Sequence, residues 1–314
     1  MCTAIEVTYP KGAILGRTMD IQAPVSYQVF YQPATYWAAD NLLGGIYKRR
    51  YRTLGVGFRR MDPLKDGVND YGLVGLTNEF FGSKLYAQAP KAGYKNMSSF
   101  HYLGYALSHY RNIAELRADL QHIRLAKHNA QGEKVLCPDF HYMFTDRTGQ
   151  SIVLEPKNGE LLVYDNPYQV LTNAPAFPKH IMALEKLIDL NDLKSFQSAK
   201  RLPGGYDPKS RFIRAFYLTQ MQVPAQSKTE ALGHFFRIMG TVALPKGFFH
   251  NQQFDAYTHT LYTCAYSTSE PSLYLQGTHA PTVQAYRLAD IDPQKGRQIW
   301  TISDQFKAQR ITEA

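Results

Sequence analysis

The stretch that decides the fold is residues 1–20, MCTAIEVTYPKGAILGRTMD. Cysteine in the second position is small enough to permit removal of Met1, and Cys2 would then carry both a thiol and a free α-amine. The thiolate is a strong nucleophile. An α-amine titrates near pH ~7.7, so it can take the thiol proton without a separate histidine. These residues predict a nucleophile with its own base, although many chains carry cysteine here without a catalytic role.

Two segments with alternating β-forming residues flank a short turn. They cover residues 3–9 and 13–19, and Pro10-Lys11-Gly12 between them has the composition of a tight hairpin loop. Pairing Tyr9 with Ala13 places Cys2 opposite Asp20. A carboxylate at that position could accept hydrogen bonds from the new α-amine and hold it against its own sulfur.

Arg17 lies three residues before Asp20 on the same predicted strand. Strict alternation places Arg17 on the other face, so its approach to the thiol requires a bulge or an irregular strand end. Its permanent charge would then favour the thiolate. The alternative is an ordinary edge hairpin with a surface arginine and aspartate.

Further motifs follow along most of the chain. In order, they are Asp66-Gly67-Val68-Asn69-Asp70-Tyr71-Gly72-Leu73, His141–Asp146 with Gly149–Pro156, Val170-Leu171-Thr172-Asn173-Ala174-Pro175, Leu202-Pro203-Gly204 with Ser210–Arg214, and Pro245-Lys246-Gly247. Together with Cys2–Ile5 and Gly16–Asp20, they resemble the choloylglycine hydrolase family, which contains penicillin V acylases and conjugated bile salt hydrolases. Six motifs in the right order are highly specific.

The resemblance implies a role for each catalytic position. Cys2 would be the nucleophile, with its α-amine as general base, Asp20 would orient that amine, and Arg17 would stabilise the thiolate. The side-chain amide of Asn173 would donate to the tetrahedral oxyanion together with a backbone N–H, and one such donor is worth about 3–4 kcal/mol. Arg211 would complete the charged cluster. The structural alternatives are a turn residue for Asn173 and a solvated helix position for Arg211.

The sequence departs from the family pattern at two positions. The residue that supplies the second oxyanion donor falls on Glu79, where bile salt hydrolases usually have asparagine and penicillin V acylases tyrosine. A shift of one residue would place Asn78 there instead. Gly205 stands where the family motif has aspartate. A glutamate near an anionic substrate would change selectivity, so these departures bear on which substrate is cleaved.

The predicted order of elements is strands, helices, strands, helices, strands. Predicted helices cover two patterns between residues 100 and 123, with Asn112 as a cap, and residues 178–190, 208–221 and 228–242. Predicted strands after the first helices cover residues 140–146, 151–156, 160–164, 169–173, 256–266, 272–275 and 298–302. This order predicts an α+β fold. The resemblance sharpens it to a four-layer αββα N-terminal-nucleophile hydrolase sandwich with two antiparallel sheets, in one domain over residues 1–314.

Composition indicates the class of protein. The chain has 314 residues, a formal charge of +9 and three cysteines, Cys2, Cys137 and Cys264. Three cysteines form no disulfide framework, and no apolar run of ~20 residues or basic, apolar start is present, so we expect a cytoplasmic protein without a membrane partner. The histidines lack metal-binding spacing and no phosphate-binding glycine loop occurs, so we expect no metal and no cofactor.

The resulting prediction is an N-terminal-cysteine hydrolase that cleaves linear, non-peptide amides of small anionic N-acyl substrates through an acyl-thioester. Residues 17–20 and 66–69 favour a penicillin V acylase-like activity, with conjugated bile salts as the alternative. A further alternative is a non-catalytic amide-binding or basic interaction protein, because residues 48–52 and 59–60 are rich in basic side chains. No nucleic-acid-binding motif accompanies that charge, so we expect no nucleic-acid partner. The resemblance also implies a homotetramer.

Overall fold

Strands dominate the computed structural model, which describes residues 1–21, 25–35, 37–39, 46–59, 63–252 and 255–306. The strands of this part of the chain, numbered in chain order, are β1 Cys2–Tyr9, β2 Gly12–Ile21, β3 Tyr27–Gln32, β4 Trp37–Ala39, β5 Ile46–Lys48, β6 Thr53–Phe58, β7 Leu64–Asn69, β8 Val74–Glu79, β9 Lys95–Met97, β10 Ile123–Leu125, β11 Phe140–Thr145, β12 Ser151–Lys157, β13 Glu160–Asp165, β14 Val170–Leu171, β15 Phe249–Asn251, β16 Ala256–Ser267, β17 Ser272–Gly277, β18 Gln284–Arg287 and β19 Gln298–Thr301.

Helices occur in each segment predicted to be helical. In chain order the α-helices are α1 Ser99–His109, α2 Ile113–Asp119, α3 Phe177–Glu185, α4 Ser198–Arg201, α5 Pro208–Met221 and α6 Lys228–Met239. The short helix α4 is an addition that the sequence did not predict. The predicted cap is confirmed, because the Asn112 side chain accepts a hydrogen bond from Glu115 N at 2.9 Å. The predicted bounds of α5 are also confirmed: Asp207 caps its first turn and Pro208 begins it.

Most strands join one of two antiparallel sheets. The seven-stranded sheet has the order β14-β1-β2-β16-β17-β18, with β15 beside β16. The eight-stranded sheet has the order β13-β12-β11-β8-β7-β6-β3-β19. The main apolar core lies between the sheets and includes Ala4 and Leu15 from one and Val56, Val68 and Leu76 from the other.

Helices cover the outer face of each sheet. α1 packs on β7 and β8, and a second apolar cluster lies beneath it. α5 and α6 pack on β1, and α6 also packs on β2. The predicted α+β sandwich with two antiparallel sheets between helical layers is therefore confirmed. Among the helices of the described ranges, none is long and apolar enough to cross a membrane.

The predicted register of the opening hairpin is wrong by one residue. Tyr9 pairs with Gly12, and Cys2 consequently pairs with Met19 instead of Asp20. The turn contains only Pro10 and Lys11, since Gly12 is already in β2. Gly12 has a φ of +154°, and a Cβ there would lie 2.6 Å from Thr268 Oγ1. Glycine is therefore needed where the chain enters β2 beside residue 268.

The observed register brings Arg17 to the nucleophile without a bulge in its own strand. Cys2 pairs with Met19, and Arg17 lies two residues from Met19 on the same face of β2. The irregularity lies instead in β16, where the register shifts between Thr260 and Tyr262, opposite Asp20 and Met19. The pairing of β1 with β2 is therefore regular, and the register shift beside it lies in β16.

The basic cluster does not form a uniform charged surface. Arg49 is buried and its Nη2 donates to Thr53 Oγ1 at 2.8 Å. Arg52 forms an ion pair of 2.7 Å with Asp70. Arg60 lies outside the described residues. The intramolecular partners of Arg49 and Arg52 weaken the prediction of a basic interaction surface.

Candidate active site

Cys2 begins an inner strand of the seven-stranded sheet. β1 pairs with β2 on one side and with β14 on the other, so the start of the chain is held in the fold. Cys2 is only 4% exposed, and Arg17 Nη2 donates to its sulfur at 2.6 Å. The guanidinium therefore places a positive charge directly beside the sulfur.

Arg17 is held from several directions. Its Nη1 donates to Thr77 O on the eight-stranded sheet, and its Nε donates to Thr18 O at 3.3 Å. Burial alone would lower the pKa of this guanidinium, but the negative charges around it, that of Cys2 first, raise the pKa above its usual value. Arg17 therefore remains a fixed cation beside the sulfur.

Asn173 follows β14 and lies at the nitrogen side of Cys2. Its Oδ1 accepts from Cys2 N at 2.6 Å and from Arg211 Nη2 at 2.9 Å. Its Nδ2 donates to Glu79 O at 3.0 Å. Because Cys2 N and Arg211 Nη2 are both donors, the amide oxygen must face them and the NH₂ group must face Glu79.

Arg211 is fully buried, which excludes the solvated position considered as its alternative. The cap at Asp207 starts α5, and Arg211 lies one turn later against β1. Its Nη1 donates to Cys2 O and to Thr3 Oγ1, both at 2.6 Å. The side chain therefore fixes the first peptide group of β1 and the Asn173 amide together.

Asp20 lies close to the start of the chain, but hydroxyl groups occupy its carboxylate. Thr260 Oγ1 donates to Oδ1 at 2.6 Å and Thr18 Oγ1 donates to Oδ2 at 3.1 Å. The Met1 amino group donates to the backbone oxygen of Asp20 at 2.9 Å. Burial raises the pKa of Asp20, and the positive chain terminus opposes that change. Cys2 N therefore donates to Asn173 and not to Asp20, whose backbone carbonyl accepts from the Met1 amino group.

The two candidates for the second oxyanion donor, Asn78 and Glu79, have different surroundings. Asn78 is fully buried and its Nδ2 donates to Leu171 O at 3.2 Å and to Thr172 O at 3.1 Å, so it fixes β14. Glu79 borders the cavity at Cys2. Of the two residues, Glu79 therefore lies at the cavity, whereas the Asn78 side chain binds the backbone of residues 171 and 172.

A cavity of about 180 Å³ opens beside the Cys2 sulfur. Its charged and polar lining includes Arg17, Asp20, Glu79 and Lys65. The apolar and remaining lining residues are Met1, Met19, Ile21, Tyr27, Phe58, Thr77 and Phe140. A mostly apolar cleft with a few convergent polar groups is typical of a small-molecule site.

Two buried histidines and one lysine complete the surroundings, and sequence reasoning missed them. His180 Nε2 donates to Asn173 O at 2.8 Å, and burial lowers its pKa to about 4, so it stays neutral. His141 Nε2 donates to Thr172 O at 2.8 Å. His141 lies within a recognised motif, but no sequence signal links either histidine to the segment before Pro175. Lys65 immediately precedes another motif and has no signal of its own.

Two proteins with known activities resemble this chain in sequence. The bile salt hydrolase/transferase of Clostridium perfringens (strain 13 / Type A) is 27% identical over 267 residues, which cover 79% of this chain and 80% of that protein. The conjugated bile acid hydrolase of Lactobacillus acidophilus is 25% identical over 315 residues, which cover 92% of this chain and 96% of that protein.

Solved structures share the fold. The C2A mutant of the conjugated bile acid hydrolase from Clostridium perfringens aligns with a TM-score of 0.87 at 21% identity, over 99% of this chain and all 100% of that one. Penicillin V acylase from Agrobacterium tumefaciens aligns with a TM-score of 0.78 at 16% identity, over 95% of this chain and 90% of that one.

The family model described as linear amide C–N hydrolases, choloylglycine hydrolase family, matches residues 2–294. The match includes the seven-stranded sheet, all strands of the eight-stranded sheet except β19, and Cys2, Arg17, Asn173 and Arg211. The chain therefore belongs to the choloylglycine hydrolase family, whose members are hydrolases of carbon–nitrogen bonds in linear amides.

Proposed function

We propose that this chain hydrolyses N-acylated small molecules by nucleophilic attack of Cys2, once Cys2 is the first residue. The observation that carries the proposal is the 2.6 Å contact between Arg17 Nη2 and the Cys2 sulfur in the wall of the cavity. While Met1 is attached, the nitrogen of Cys2 is an amide and cannot act as a base. Met1 also borders the cavity. Its removal would supply the basic amine and enlarge the space for substrate.

The proposed reaction uses this amine twice. It takes the thiol proton while the sulfur attacks the substrate carbonyl, which gives a tetrahedral oxyanion. The protonated amine then donates to the leaving nitrogen as the carbon–nitrogen bond breaks, which leaves an acyl-thioester on Cys2. Water attacks the thioester and loses a proton to the amine. The carbon–sulfur bond then breaks, which releases the carboxylic acid, and the amine returns its proton to the Cys2 sulfur. The 2.6 Å bond from Cys2 N to Asn173 Oδ1 supports an amine held in a fixed orientation.

Two donors are positioned for the oxyanion. An amide NH₂ has two hydrogens, and Asn173 Nδ2 uses one of them for Glu79 O. Directly after β8, Phe80 N donates to the oxygen of Asp139, the residue before β11. Because the hydrogen-bonding direction alternates along a strand, the N–H of Glu79 points away from β11, on the same side as its carbonyl. This geometry supports the backbone of Glu79, and not its side chain, as the second donor.

Phenoxyacetyl amides, as in phenoxymethylpenicillin, are our first proposed substrate class. The aromatic residues Tyr27, Phe58 and Phe140 in the cavity wall support a flat aromatic acyl group. Conjugated bile salts are the second candidate. The printed activities of the relatives from Clostridium perfringens and Lactobacillus acidophilus support that alternative.

Release of primary amine tests the proposal directly. The mature protein, with loss of Met1 verified by intact mass, would be incubated with phenoxymethylpenicillin, glycine-conjugated bile salts and taurine-conjugated bile salts. We expect amine release from at least one class, and the ratio of kcat/KM values identifies it. A processed protein that releases no amine from any of them would contradict the proposal.

Asn173→Ala is expected to lower kcat by about 10²–10³-fold, because it removes one oxyanion donor. The comparison variant is Asn78→Ala, whose side chain reaches backbone carbonyls instead of the cavity. We expect Asn78→Ala to reduce the free energy of unfolding more than it reduces kcat. Steady-state kinetics and urea unfolding of both variants would check this. An equal kcat loss in the two variants would argue against the assigned donor.

A further inference from the structure

Lys65 has an unusual environment in the cavity wall. Its Nζ lies 4.4 Å from the ring centre of Phe58, 4.1 Å from that of Phe100 and 4.3 Å from that of Phe140. The three rings come from β6, from α1 and from β11. They surround the amine, and Lys65 lines the same cavity as Cys2.

The amine lacks the partner that a buried lysine normally has. Lys65 is 3% exposed, and within the described ranges its Nζ contacts aromatic rings but no carboxylate or carbonyl group. Burial, followed by the positive charge of Arg17, lowers the pKa of Lys65 well below its usual value. Placing such a group in an apolar wall destabilises the fold unless a hydrogen-bond partner arrives there.

The contacts separate the two sides of the nucleophile. The nitrogen side contains Asn173, Arg211 and the Asp20 carbonyl. The sulfur side contains Arg17, which donates to Thr77 O, and Thr77 Oγ1 in turn donates to Lys65 O at 3.1 Å. In the proposed reaction the leaving amine must lie beside the α-amine that protonates it. The acyl group therefore extends along the sulfur side, toward Lys65.

We propose that Lys65 is a specificity-determining residue that donates a hydrogen bond to an oxygen within the acyl group of the substrate. This inference rests on the proposed function and narrows its substrate class to acyl groups that are apolar except for one oxygen acceptor. An ether oxygen and a terminal carboxylate share this chemistry. In this arrangement the rings of Phe58 and Phe140 contact the apolar part of the acyl group, and the Lys65 amine donates a hydrogen bond to its oxygen.

Matched substrates test the assignment. One pair of glycine amides has a phenoxyacetyl or a phenylpropanoyl group, which differ only by an oxygen in place of a methylene. The second pair has a glutaryl group or the same chain ending in an isopropyl group. Wild-type protein should prefer the oxygen-bearing member of at least one pair by about tenfold or more in kcat/KM. The pair that responds distinguishes the ether from the carboxylate.

The decisive variant is Lys65→Met, because methionine fills the space among the rings without donating a hydrogen bond. We expect the ratio of kcat/KM values within the responding pair to fall to about one, mainly because kcat/KM for the oxygen-bearing substrate decreases. The control is Lys91→Met, since the Lys91 amine lies 4.6 Å from the ring centre of half-buried Tyr94 and 3.3 Å from its hydroxyl, and Lys91 does not border the cavity. A preference that is absent in wild-type protein, or that persists in Lys65→Met, overturns the inference.

A binding measurement separates this inference from the proposed reaction. In a Cys2→Ala background, calorimetry would compare the affinity for both members of each pair, with and without Lys65→Met. Preferential binding that Lys65→Met removes supports the role of Lys65 even if the wild-type protein cleaves none of the amides. Equal binding of both members of both pairs overturns it, whatever the turnover.

Discussion

Cys2→Ala is expected to abolish amide hydrolysis, with a loss in kcat of at least about 10⁴-fold. The substitution removes the atom that forms the thioester and leaves the surrounding hydrogen bonds of β1 intact. Alanine also occupies less space than cysteine, so the inner strand should still pair with β2 and β14. Substrate binding should therefore persist while product formation stops.

The matched control is Cys137→Ala. Cys137 is half-buried near Ser99 Oγ, at 3.4 Å, and does not border the cavity. We expect the hydrolytic activity of Cys137→Ala to stay within about twofold of wild type. Intact mass after treatment with a thiol-directed alkylating agent gives a second measurement, because inactivation should coincide with one adduct on Cys2. Residual turnover in Cys2→Ala above about 1% would assign the chemistry to another group.

The second large effect concerns stability and involves Glu6. This side chain is fully buried between the sheets, and burial raises its pKa to about 8. Thr145 Oγ1 lies 3.0 Å from Glu6 Oε1 and 2.9 Å from Gln150 O. A hydroxyl has one hydrogen and cannot serve both acceptors, whereas a protonated Glu6 supplies the second hydrogen. The geometry therefore agrees with a neutral carboxylic acid.

A raised pKa of a carboxylic acid makes the fold less stable as pH increases. Below the unfolded pKa of about 4.5 both states are protonated, and above it only the unfolded state loses its proton readily. The free energy of unfolding should fall by about 1.4 kcal/mol per pH unit up to about pH 8, or about 5 kcal/mol in total. Glu6→Gln should remove this dependence.

Urea unfolding at several pH values between 5 and 8 would measure the effect as the difference between Glu6→Gln and wild type (roughly the window set by the two pKa values). We expect the variant to gain stability relative to wild type as pH increases. Glu160→Gln is the control, since Glu160 is exposed at the start of β13. A difference that does not change with pH would show that Glu6 is ionised in the folded state.

Local patterns predicted the elements of this fold better than their pairing. The bounds of α5 follow from a cap, a proline and an apolar period that are all local, and they agree with the structure. The hairpin register depends on whether Gly12 belongs to the turn or to β2. Its close approach to Thr268 decides that question, and Thr268 is distant in sequence. A one-residue change in the turn then moved Asp20 away from Cys2.

The candidate site was likewise predicted better in its residues than in the contacts between them. Family motifs identified Cys2, Arg17, Asn173 and Arg211, which the structure brings into one cluster. The motifs do not say that Asn173 accepts from Cys2 N. Nor could they reveal the environment of Lys65, because its three rings come from separate elements that only tertiary packing brings together.

The position of β1 has a practical consequence for preparing this protein. Cys2 lies on an inner strand, with β2 on one side and β14 on the other, and Met1 already borders the cavity. Any affinity tag fused ahead of Cys2 would acylate the amine that acts as the base in the proposed reaction, and it would extend from the residue that borders the cavity. The described chain reaches Phe306 after β19, which is the last strand at an edge of the eight-stranded sheet, and Phe306 is exposed. Tags, surface linkers and fluorescent labels should therefore be attached after residue 306.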